Sequence, residues 1–168
     1  LHMPILALNT QRHEIVTDSM AAFISDATGG QYSVMPFKYV DKANYGDIEI
    51  MFGAVDYDTA ALLTGLKWIQ LTSAGVDKSI DRSKYPHPQF RLTNATGAFG
   101  RHMAEHILAF FLCFSRVLHQ FRDLQNAHKW DCSFDPSEIY GSTVAVIGLG
   151  DIGMATAQVC AAMVARVL

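Results

Sequence analysis

An α/β fold built on a parallel sheet is the class this sequence predicts, and three observations predict it. Short apolar runs bounded by glycine or proline recur through residues 1–96, as the strands of a buried sheet do. Stretches with helical spacing separate them, which is the alternation that parallel strands require. Late in the chain a third kind of unit appears. The apolar run Val144-Ala145-Val146-Ile147 leads into Gly148-Leu149-Gly150-Asp151-Ile152-Gly153 and a further helical stretch.

Met3-Pro4-Ile5-Leu6-Ala7-Leu8 reads as a first strand. Residues 14–27 show helical spacing, with Ile15, Met20, Phe23 and Ile24 as candidate core contacts, and Thr28-Gly29-Gly30 stops that helix. Residues 32–35, 48–52, 68–71 and 90–93 read as the next four strands, with a short helix over 58–63. From residue 99 to 122 there is no proline and, after Gly100, no glycine, so one long helix is expected. It is apolar on nearly every face, which implies packing between domains or between subunits. Residues 131–138 read as a loop, 143–147 as a sixth strand and 152–167 as a final helix.

Composition narrows the function classes. Half of the 168 residues are hydrophobic, and 13 Lys and Arg against 16 Asp and Glu leave a net charge of −3. A substantial core follows, and no basic field for nucleic acid exists. Cys113, Cys132 and Cys160 lie far apart with no C-x-x-C, so neither a disulfide framework nor a structural zinc site is expected, and a reducing, cytoplasmic setting fits. The longest strongly apolar run, 107–114, is far short of the ~20 residues of a membrane span, and no signal peptide is visible.

The glycine fingerprint carries the sharpest chemistry. Its first glycine permits a tight turn, its second lets a phosphate approach the backbone, and its third lets helix and strand pack closely. The N-terminus of the following helix then faces the anion. A strand-to-helix turn without ligand is the plain alternative. The acidic residue that would meet an adenosine ribose is expected about 20 residues further on. Residues 152–168 contain no Asp or Glu, so NAD and NADP stay equally open.

Two further segments compete for attention. His102-Met103-Ala104-Glu105-His106 matches H-x-x-E-H, which on a helix could hold one metal. No suitable third ligand accompanies it, and the helix reads as a packing helix, so no metal is assigned. Thr72-Ser73-Ala74-Gly75 follows a strand with small residues, where parallel sheets place ligands and free backbone N–H groups can hold a carboxylate.

In order, 66–77 (Leu-Lys-Trp-Ile-Gln-Leu-Thr-Ser-Ala-Gly-Val-Asp), Gly97-Ala98-Phe99-Gly100 leading to Met103-Ala104-Glu105-His106-Ile107-Leu108, Ser115-Arg116 with Trp130, and Tyr140 through Gly153 resemble the D-isomer-specific 2-hydroxyacid dehydrogenases. The resemblance covers residues 66–153. It implies a flavodoxin-like substrate domain over 1–96 and the start of an NAD(P)-binding Rossmann domain over 97–168, with the active site in the cleft between the two. Ser73, Ala74 and Gly75 would take the substrate carboxylate through their backbone. Met103 would sit near the nicotinamide, and Gly148, Leu149, Gly150, Asp151, Ile152 and Gly153 would border the pyrophosphate. The helix from Phe99 would help form a homodimer. Phe99 stands where many members carry Asn, a departure shared with a Gly-Ala-Tyr-like subgroup.

The chemistry so implied is hydride transfer between NAD or NADP and a 2-hydroxy or 2-oxo acid, with a histidine, an acid and an arginine as the catalytic set. No position here matches those three, and none of His106, Arg101 or Arg116 is put in their place. They are expected beyond the C-terminus, so the chain reads as the N-terminal portion of such an oxidoreductase and as inactive by itself. A dimerising or ligand-binding module without catalysis is the alternative, motivated by the apolar 99–122 stretch. Residues 143–168 are then expected to be packed by a partner chain or poorly ordered, because a sheet cut there leaves an open edge.

Overall fold

The structure, a computed structural model, describes residues 3–9, 17–163 and 165–168. It falls into two units, Leu1–Thr96 and Gly97–Leu168.

The first unit comprises β1 (Ile5–Leu8), α1 (Asp18–Ala27), β2 (Ser33–Pro36), β3 (Ile48–Phe52), α2 (Tyr57–Ala60), β4 (Trp68–Gln70) and β5 (Arg91–Thr93). All neighbouring strands pair in parallel, in the order β2-β1-β3-β4-β5. That is the strand order of a flavodoxin-like sheet, as the resemblance implied. Strand alternation sorts the side chains. Ile5 and Ala7 join Ile48, Met51, Leu63, Leu66 and Ile69 on one face. Leu6, Leu8 and Ile50 pack on the other, under Ile24, Val34 and Trp68. Each fully buried Leu, Ile or Met here is worth about 1.5–3 kcal/mol relative to exposure.

The helix expected over 14–27 begins at Asp18, where Thr17 Oγ1 accepts the Met20 N–H at 3.2 Å. Residues 14–16, Ile15 among them, lie outside the described residues. Of the four candidate contacts, Ile24 meets the sheet, whereas Phe23 is 73% exposed. Phe23 sits about 100° around the helix from Ile24, so one narrow stripe cannot bury both. The helix ends where Gly29 and Gly30 take φ of 64° and 68°.

The second unit comprises α3 (Gly100–Ser115), α4 (Leu118–Asn126), β6 (Thr143–Val144), α5 (Asp151–Ala162) and β7 (Arg166–Val167). The single helix expected over 99–122 is two. Arg116 and Val117 close the last turn of α3, donating to Leu112 O and Phe114 O, and Val117 takes a left-handed φ of 58°. The returning loop ties down the break, because Ser137 N–H donates to Ser115 O at 2.8 Å and Arg116 Nη1 to Ser137 O at 3.4 Å. The apolar character of this region does not go inward. In α3 only Gly100 and Ala104 are buried, while Phe110 and Phe114 are exposed.

The final helix also stops earlier than its expected end at 167. After Ala162 the chain turns, and Arg166 N–H donates to Ser142 O while Leu168 N–H donates to Val144 O. Pairing of β7 with β6 therefore replaces the last helical turn. Residues expected to need a partner chain or to lack order thus form a helix and a two-stranded parallel sheet within the one chain.

Candidate functional site

The glycine turn between β6 and α5 has the geometry that its sequence asks for. Gly148 takes φ of 95°, a conformation that favours glycine. Gly153 faces the carbonyl oxygen of Gly148 so closely that a Cβ would collide with it, and Val146 Cγ1 would lie 3.4 Å away. Gly150, the N-cap of α5, has open space where a Cβ would be. The three glycines thus divide their tasks: one bends the chain, one seals turn to helix, one stays bare.

Backbone donors converge on that bare surface. The first bond into α5 is from Met154 N–H to Gly150 O at 2.9 Å. Upstream, the N–H groups of Leu149, Gly150, Asp151, Ile152 and Gly153 donate to no protein acceptor among the described residues. Together with the helix dipole, such a cluster attracts an anion. Asp151 stands among them as an acid in the first turn, which suits the dipole but opposes a phosphate's charge.

A cavity of about 590 Å³ opens at this turn. Its walls include Leu149, Gly150 and Asp151 from the turn, Arg101 and His102 from α3, and Gln158 from α5. Met154, Ala155 and Gln158 line it as well, residues that the fingerprint did not single out. Their signal was present: they lie three, four and seven positions after Asp151, on one face of a helix. Met103 does not line this cavity and is 39% exposed on α3. The two helices meet tightly, since a Cβ on Gly100 would lie 2.5 Å from Asp151 Oδ1 and 3.0 Å from its backbone oxygen.

His102, Glu105 and His106 of the H-x-x-E-H segment are exposed on α3. His106 stacks edge-on against Phe110 with ring centroids 4.8 Å apart. Among the described residues no three His, Cys, Asp or Glu side chains come together as a metal site would need.

The first unit carries the second candidate. After β4 the chain runs through Leu71, buried, into Thr72, Ser73, Ala74 and Gly75 at the carboxyl end of the sheet. Leu71 N–H donates to Thr93 O at 2.8 Å, which extends the pairing with β5. The N–H groups of Ser73, Ala74 and Gly75 then donate to no protein acceptor among the described residues. Space above Gly75 is open, with Asp77 Oδ2 the nearest atom, 3.9 Å from where a Cβ would be. Sequence reasoning found this loop but missed Asn94, whose Nδ2 donates to Ala74 O at 2.7 Å.

Residues 108–168 match the family model described as "D-isomer specific 2-hydroxyacid dehydrogenase, NAD binding domain". D-3-phosphoglycerate dehydrogenase of Mycobacterium leprae is 34% identical over 115 residues, which are 68% of this chain and 22% of that protein. A D-isomer specific 2-hydroxyacid dehydrogenase family protein from Aeromonas salmonicida shares the fold with a TM-score of 0.78 at 23% identity, over 99% of this chain and 53% of that one. An NAD-dependent formate dehydrogenase from Staphylococcus aureus, solved in complex with NAD, does so with a TM-score of 0.71 at 17% identity, over 98% and 54%. The chain therefore spans about half the length of these solved chains, and its match to the curated relative takes in 22% of that protein.

Proposed function

We propose that this chain, which belongs to the D-isomer specific 2-hydroxyacid dehydrogenase family, supplies two binding elements of an oxidoreductase acting on the CH–OH group of a 2-hydroxy acid. The turn from Gly148 to Gly153 would hold the pyrophosphate of NAD or NADP, with Gly148, Leu149, Gly150, Asp151 and Ile152 offering backbone and Gly153 closing the packing. Met103 is assigned to the nicotinamide end. Ser73, Ala74 and Gly75 would hold the substrate carboxylate. The first unit, 1–96, is read as the substrate domain, and the second, 97–168, as the start of the NAD(P)-binding domain.

The observation that carries this reading is the fit of the three glycines to their three tasks, above all the collision that any side chain at residue 153 would have with Gly148. A bound nicotinamide supplies the hydride acceptor or donor. What these residues add is orientation: backbone N–H groups fix the phosphates at one place and the carboxylate at another. No arginine, acid or histidine within residues 1–168 is assigned to proton transfer or oxo-acid orientation, so this chain alone would bind without turning over. Oxidation of NAD(P)H with glyoxylate, pyruvate or a longer 2-oxo acid, followed by the absorbance of the reduced nicotinamide, tests this: no turnover is expected, and measurable turnover contradicts it.

A homodimer is the proposed assembly. Phe110 and Phe114, one turn apart on α3 with ring centroids 5.9 Å apart, expose 48% and 62% of their surface, an apolar stripe that water does not favour. This same stripe favours the second reading, a dimerising module without catalysis. Sedimentation at micromolar concentration with nucleotide titration separates them: a dimer that binds NADH supports the first reading, and a dimer that binds neither nucleotide nor 2-oxo acid supports the second.

A further inference from the structure

We infer that Asn94 is the positioning residue of the carboxylate loop: by holding the Ala74 carbonyl it aims the Gly75 N–H at the substrate. The inference rests on the reading of Ser73, Ala74 and Gly75 as the carboxylate site.

Three successive carbonyls of the loop are held by three different donors. Ala95 N–H donates to Ser73 O at 3.0 Å. Asn94 Nδ2 donates to Ala74 O at 2.7 Å. Ser73 Oγ donates to Gly75 O at 2.8 Å. A trans peptide is planar, and its N–H points opposite to its C=O. Fixing Ser73 O therefore fixes the Ala74 N–H, and fixing Ala74 O fixes the Gly75 N–H. Both donors are left directed away from the chain segment 94–95 that holds their carbonyls, with no protein acceptor among the described residues.

One of the three clamps is a backbone donor and two are side chains. Ala95 contributes through its backbone, whatever its side chain. Ser73 acts within its own turn. Asn94 alone reaches across from the end of β5 with a side-chain donor, 20 positions along the chain from Ala74. Its amide is oriented by both ends, since the Thr96 N–H lies 3.4 Å from Oδ1 while Nδ2 meets the carbonyl. Asn94 is half-buried, so the bond is shielded in part from water.

The neighbouring residue supplies a control. Thr93 lies on the opposite side of β5 and links two other side chains, accepting from Trp68 Nε1 at 2.7 Å and donating to Gln70 Oε1 at 2.6 Å. Removing its hydroxyl disturbs the same strand without touching Ala74 O.

Pyruvate titrated into the ¹⁵N-labelled chain, with amide shifts read at Ala74 and Gly75, tests the inference. Asn94→Ala is expected to weaken pyruvate by about fivefold or more, the scale of one neutral hydrogen bond. Thr93→Val is expected to lower the thermal midpoint while leaving pyruvate affinity within about twofold. A merely structural role for Asn94 would move the midpoint and leave affinity alone, and that result overturns the inference. Asn94→Ser, whose hydroxyl is too short to reach Ala74 O, should repeat the Ala result. Failure of both variants to fold would place Asn94 in stability rather than positioning and would also overturn it. Absence of any saturable shift in the unsubstituted chain would instead overturn the carboxylate reading on which the inference rests.

Discussion

The carbonyl oxygen of Gly148 occupies the space that a Cβ on Gly153 would need. Gly153 is the third residue of α5, where alanine would otherwise gain about 1 kcal/mol of helix propensity over glycine. The contact is with backbone, which cannot swing aside. Gly153→Ala is therefore expected to destabilise the second unit by about 1–3 kcal/mol despite that propensity. Thermal unfolding followed by circular dichroism reads the sign directly. A neutral or stabilising result would show that the turn relaxes freely.

Gly100, the first residue of α3, meets the first residue of α5 in a similar way. Its ideal Cβ would lie 2.9 Å from Asp151 Cγ and 3.0 Å from the Asp151 backbone oxygen. The carboxylate can rotate away, but the backbone oxygen cannot. Gly100→Ala should cost about 1–3 kcal/mol and push α3 from α5. Tryptophan is absent from this contact, so chemical shifts of Ala104 and Thr156, both buried, are the local readout.

Val117 is a β-branched residue with a φ of 58°. Such a residue in the left-handed region costs on the order of 1–2 kcal/mol, which glycine avoids. Val117→Gly is expected to raise the unfolding midpoint, offset in part by the greater freedom of glycine in the unfolded chain. An unchanged or lower midpoint in a denaturation series would show that the Val117 side chain contributes packing that outweighs its backbone strain.

Tyr85 gives the first unit a predictable response to alkali. Its hydroxyl donates to Ser79 O at 3.1 Å, and its ring packs against Phe90 with centroids 4.3 Å apart. Burial raises its pKa above the ordinary tyrosine value near 10. A pKa raised on folding means that this stability is fully present below about pH 10 and is lost as pH climbs through the higher folded value. Tyr85→Phe should cost about 1 kcal/mol at neutral pH through the lost hydrogen bond and should remove this alkaline component. Urea unfolding at neutral pH and above pH 10 separates the two effects, and an equal alkaline loss in the variant would refute the assignment to Tyr85.

The sheet was legible because its signal is local and redundant. β1 and β3 are short apolar runs stopped by Asn9 and Gly53, and successive side chains of a strand go to opposite faces of the sheet. The glycine turn was legible for a similar reason, since its three glycines answer three separate steric demands. The break at Val117 was not, because no glycine or proline announces it and the loop that fixes it, through Ser137, comes 20 residues later. β7 was hidden by its length: a two-residue pairing next to a helix of the same apolar character has no periodicity of its own. Asn94 was missed because its partner, Ala74 O, is a backbone atom distant in the chain, and a lone asparagine after a strand reads as a turn residue.

Whether the turn from Gly148 to Gly153 holds a nicotinamide dinucleotide is decided by NADH binding to the unsubstituted chain and to Gly150→Val, followed by nicotinamide fluorescence. Gly150 has no atom within 4 Å of its ideal Cβ, and its φ of −76° suits any side chain, so the variant should fold as the parent does. Saturable binding by the parent and a loss of about tenfold or more in the variant are expected, because a side chain at that position stands where phosphate must approach the backbone. No saturable binding by the parent, or equal binding by a folded Gly150→Val, would contradict this assignment of the turn.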